Sequence, residues 1–218
     1  MAFGEIKSTG GVEISSSTGK WSRVPDIYPL FKSSKIRTSD GVVFITTKDG
    51  ARIDLAQATE VSIEAAQGNY SVALEKGTVL FAVPPSASLT VTTKEATVSV
   101  TRQTGGYYSL VAGPGAPSFK NIQGMIIRGP EGTFIRSLHG GIAVSGPALE
   151  ARILNTGERL FASLEGEDKA LGYTPAENGL NDASIQLMIT GAFITGAGVT
   201  ALDSYRGDGV HSPAGFIK

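Results

Sequence analysis

From residue 36 to about 100, short runs rich in Val, Ile, Thr and Phe alternate with turn residues. Val42–Thr47 lies between Ser39-Asp-Gly41 and Lys48-Asp-Gly50. Arg52–Leu55 and Glu60–Glu64 alternate polar with apolar positions. A period of two sorts side chains onto the two faces of an extended strand, so the pattern predicts strands. Gln67-Gly-Asn69 precedes Tyr70–Leu74, and Glu75-Lys-Gly77 precedes Thr78–Val83, which Pro84-Pro85 stops. Leu89–Thr93 and Thr97–Thr101 follow. Turn signals every 8–12 residues or so mark an all-β sandwich, barrel or roll. The two Asp-Gly pairs are read as structural, because Asp-Gly supplies the positive backbone dihedrals of tight turns.

Gly105-Gly106 and Gly113-Pro-Gly-Ala-Pro117 mark a boundary, after which the β pattern resumes. Ile122–Arg128, Thr133–Leu138, Ile142–Val144, Ala151–Leu154 and Arg159–Leu164 are the predicted strands there. Ile127-Arg-Gly-Pro-Glu-Gly-Thr-Phe-Ile135 echoes Ile36-Arg-Thr-Ser-Asp-Gly-Val-Val-Phe-Ile45 with one residue deleted, a hint of a repeated unit. The expected organisation is therefore all-β: two consecutive modules of sandwich or roll type, over 1–105 and 106–175, then a C-terminal apolar segment and tail over 176–218.

Ala183–Leu202 carries twenty residues without a charge. Its length suits a membrane span, but Gln186 and its threonines and glycines weaken insertion. A strand with Ile185, Leu187 and Ile189 on one face, part of the chain's own core, is a second reading. The third and favoured one is packing between chains, helped by small residues. The candidate contact residues are Ile185, Leu187, Met188, Ile189, Ala192, Phe193, Ile194, Gly196, Val199 and Leu202.

Composition narrows the chemistry. With 19 basic and 20 acidic side chains, a net charge of -1 and no basic run, nucleic acid is not an expected partner. No cysteine is present, which removes disulfides, thiolate nucleophiles and Cys-ligated metals. His139 and His211 both stand in Gly- or Pro-flanked loops, with no nucleophile elbow or phosphate loop to accompany them. Asp40, Asp49 and Asp54 are too sparse for a calcium loop, as are Asp203 and Asp208. Trp21, Tyr28 and Phe31 are read as core anchors, with a carbohydrate platform as the sharper alternative. Asn69-Tyr-Ser71 is a glycosylation sequon at a turn. No catalytic, metal or cofactor residue is singled out, and no enzyme is expected.

The order of the motifs resembles the FecR domain. Gly10-Gly-Val-Glu-Ile14, Ile36-Arg-Thr-Ser-Asp-Gly41 and Phe44–Leu55 are followed by Glu60-Val-Ser-Ile63, Val72-Ala-Leu74, Lys76–Val83 and Val91-Thr-Thr93. The resemblance covers about residues 5–105. It implies an extracytoplasmic, β-rich, non-enzymatic module, whose founding members relay occupancy of an outer-membrane iron-citrate receptor to a sigma factor. No export signal is visible at the N-terminus, and no helical segment or membrane helix of the founding kind.

Two functions follow. The first expectation is a self-assembling structural or cell-surface subunit, a homo-oligomer or polymer such as a filament, joined through 183–202 and open sheet edges. The alternative is a periplasmic FecR-like sensor or adaptor in signal transduction, held at a membrane by the same segment. A glycan-binding or glycan-cleaving enzyme ranks third, because no pair of acids is selected.

Overall fold

The computed structural model describes residues 2–15, 19–101 and 121–163. They are all-β, with no helix. The first strands are β1 (Gly4–Thr9), β2 (Val12–Ser15), β3 (Trp21–Arg23), β4 (Ile27–Leu30) and β5 (Ser33–Thr38). Next come β6 (Val42–Thr47), β7 (Arg52–Leu55), β8 (Glu60–Ala66), β9 (Asn69–Val83), β10 (Ser88–Thr92) and β11 (Thr97–Val100). The chain continues with β12 (Ile122–Arg128), β13 (Thr133–His139), β14 (Ile142–Gly146), β15 (Leu149–Leu154) and β16 (Arg159–Ala162). The segments Val42–Thr47, Arg52–Leu55 and Ile122–Arg128 form strands with the bounds predicted for them.

The strands make two sheets that share β9. The first runs β4-β1-β6-β7-β9-β12-β13-β16. The second runs β3-β2-β5-β8-β9-β10-β11-β14-β15. All pairings are antiparallel except β9 with β10. The sheet is not closed into a barrel.

Glu75-Lys-Gly77 is not the turn its composition suggests. Tyr70–Leu74 and Thr78–Val83 are one continuous strand, paired up to Lys76 with β8 and from Gly77 with β12. Gly77 has φ of 95°, a conformation L side chains avoid, and a Cβ there would collide with Thr59 and the Ala58 carbonyl. Thr59 occupies the space: its Oγ1 accepts from the Thr78 N–H at 3.0 Å, and its own N–H donates to Thr38 Oγ1 at 2.8 Å. The bend thus replaces lost ladder bonds with hydroxyls from the β5 and β7–β8 connections.

Two other crossings between the sheets stack on one another. Gly10 and Gly11 join β1 to β2, and Ser39–Gly41 join β5 to β6. A Cβ on Gly41 would run into the Thr9 carbonyl and the Gly11 nitrogen, so this glycine serves close approach. Asp40 Oδ1 accepts from the Gly11 N–H at 2.9 Å. At the second Asp-Gly pair Gly50 does take the turn conformation, with φ of 84°. The echo of Ile36–Ile45 in Ile127–Ile135 does not build a repeated unit: β5 and β6 lie in different sheets, whereas β12 and β13 pair in one.

The inner faces of both sheets supply one core. Ile6, Ile45, Ile53, Val79, Ile126 and Ile135 from the first sheet meet Ile36, Ile63, Val72, Val91 and Val144 from the second. Burying each such side chain contributes about 1.5–3 kcal/mol relative to exposure.

Candidate functional site

The ten candidate contact residues from Ile185 to Leu202 lie outside the described residues, as do His211, Asp203 and Asp208. Among the described residues no group of three or more His, Asp or Glu is placed to hold a metal ion. Nor is any helix there long and apolar enough to cross a membrane. The three early aspartates are dispersed and each has its own task. Asp40 caps the stacked turns. Asp49 reaches from the first sheet to the β8–β9 turn of the second, accepting from Tyr70 Oη at 2.6 Å and the Gly68 N–H at 3.0 Å. Burial, with that carboxylate beside it, pushes the Tyr70 phenol up to about 12. Trp21 is separated from Tyr28 and Phe31 because β3 and β4 belong to different sheets, so no shared aromatic platform forms. Trp21 instead stacks under the Arg37 guanidinium, 4.3 Å away.

The outer face of the second sheet is polar in a regular way. One register line reads Arg23, Glu13, Arg37, Glu60, Lys76 across five strands, with alternating sign. Arg37 and Glu13 approach to 2.6 Å, and Lys76 and Glu60 to 3.7 Å. These pairs are exposed and contribute little stability individually. Beyond them come lines of small residues: Ser62, Ala73, Thr92, Thr97, Ser145, and Ser71, Thr90, Ser99, Ala143. A hydroxyl-covered face is content in water.

The outer face of the first sheet is different. Its central line runs Lys7, Phe44, Asp54, Leu80, Met125, Arg136, Arg159. A second line holds Thr78, Ile127, Phe134 and Phe161. Leu80, Met125, Phe134 and Phe161 are buried, yet none belongs to the core cluster between the sheets. Sequence reasoning missed this second apolar face. The signal was present as unbroken runs, Val79–Val83, Met125-Ile-Ile127 and Leu160-Phe-Ala162, where alternation fails because both faces are apolar. Asp54 belongs to this face and is buried, not the solvated outward residue its strand position suggests. It takes both oxygens to Arg52 Nε, at 2.9 and 3.0 Å. Burial outweighs that cation and pushes the Asp54 carboxyl up to about 6.

Between the sheets, where β9 bends, Glu95 forms the other buried ionic contact. Its Oε2 accepts from Thr133 Oγ1 at 2.7 Å and lies 3.2 Å from Arg128 Nε. Burial alone would raise this carboxyl, but the bonds from Thr133 and Arg128 win and lower it. This cluster ties the β10–β11 hairpin of one sheet to the β12–β13 hairpin of the other. Its polar atoms are committed to each other, which describes a clamp rather than a reactive centre.

The sheet edges are guarded against pairing. β3 has three residues and β16 four, too few for a long template. In β4 the Ser8 N–H donates to the Asp26 carbonyl, which turns the even residues toward β1 and leaves Pro29 facing outward without a donor. In β15, Arg152 stands on the line of the core residue Val144, placing a charge on the inward side of an edge strand. The exposed large apolar side chains among the described residues are Ile27 at 59%, Phe31 at 44% and Ile153 at 64%.

Residues 34–112 match the family model described as FecR protein. No curated protein matches the chain. One solved structure, of a protein from Parabacteroides distasonis provisionally assigned as an anti-sigma factor, is similar at a TM-score of 0.51 and 16% identity over 73% of this chain. A second structure with the same assignment and organism gives a TM-score of 0.47 at 17% identity over 67% of the chain. The chain spans 65% and 64% of those two proteins. The first of these likenesses shows a shared fold.

The FecR match overturns the expected self-assembling structural or filament subunit, because it relates the chain to a signal-transduction family. The expected homo-oligomer or polymer falls with it, and the guarded edges supply a physical reason. The resemblance read over about residues 5–105 is borne out by a family-model match at residues 34–112.

Proposed function

We propose that this chain is an extracytoplasmic sensor or adaptor of signal transduction, non-enzymatic, acting through contact with a different protein. The observation that carries the reading is the FecR match over residues 34–112. The anti-sigma assignment of the similar Parabacteroides distasonis protein agrees with it. The surface agrees as well: Asp40 and Asp49 are spent on turns, and the buried Asp54 and Glu95 on an ion pair and a clamp. What remains outward is contact surface, and Ile27 and Phe31 are its most exposed apolar points on the β4 side.

Attachment to a membrane is assigned to the uncharged stretch 183–202, on its sequence alone. Carbonate washing of membranes is expected to leave the protein in the pellet; complete release contradicts the attachment without touching the signalling role. The role itself is tested by deleting the coding sequence and profiling transcripts. A restricted set of genes is expected to change and to return when the protein is resupplied. An unchanged profile under every growth condition tried would contradict the proposal.

A further inference from the structure

We draw no further inference here: the strongest candidate, the neutral surface patch of hydroxyls Ser62, Ser71, Thr90, Thr92, Thr97 and Ser99 on the outer face of the second sheet, carries nothing, because nothing in the structure shows what covers it.

Discussion

Gly77 shows how one residue decides the shape of this fold. A fifteen-residue strand of Val, Leu and Thr character would run straight, and the second half of it would leave the first sheet without its centre. The positive φ at Gly77 and the space taken by Thr59 bend it. Gly77→Ala combines a strained backbone with a collision, and is expected to destabilise the protein by about 1–3 kcal/mol or more in urea titration. Asp54 carries a different signature. Its carboxyl is raised from 3.8 to about 6, so the fold prefers it protonated. The associated stability is fully present below 3.8 and is lost as pH rises through about 6. The whole shift corresponds to roughly 3 kcal/mol as an order of magnitude. Asp54→Asn removes the titration, so the variant minus wild-type difference in urea midpoint should change across that window and level off above it. A flat difference would mean the carboxyl titrates normally. Glu95 runs oppositely: its lowered carboxyl adds stability above the usual value of 4.5, lost as pH falls.

At the scale of elements, the connections do more than join strands. Asp49 belongs to the β6–β7 hairpin of one sheet yet holds the β8–β9 turn of the other through Gly68 and Tyr70. Asp49→Ala leaves the Gly68 N–H and the Tyr70 hydroxyl short of their acceptor, with an expected cost of about 1–3 kcal/mol by thermal or urea unfolding. A loss below about 0.5 kcal/mol would show that solvent replaces both bonds. The strands were legible where alternation was strict, as in Glu60–Glu64, because one face is core and the other meets water. Glu75-Lys-Gly77 misled because its residues are turn formers. Only the partner strands on either side reveal that the chain keeps pairing there. The β1 to β5 region carries few long apolar runs, and its strands depend on pairing with distant segments, which local pattern does not encode. The candidate site was less legible still. Its residues come from β7, β9, β12, β13 and β16, so the face exists only once the register is set.

For the whole molecule, one contrast organises the account. A sheet hydroxylated on its outside is joined through β9 to a sheet whose outer face carries Leu80, Met125, Phe134 and Phe161 among charged residues, and the open edges are short, proline-bearing or charged. Such a body resists polymerising through its strands and presents side chains to partners. The signalling role proposed from the FecR match over residues 34–112 uses that surface. The central claim is that the chain works by touching a different protein. A photoreactive side chain placed at Ile27 or Phe31 and activated in living cells tests this most directly. The account predicts an adduct with another protein, reproducible from these positions and absent from a control at the hydroxyl face, Thr92. Adducts solely between copies of this chain, or none at either position, would contradict it.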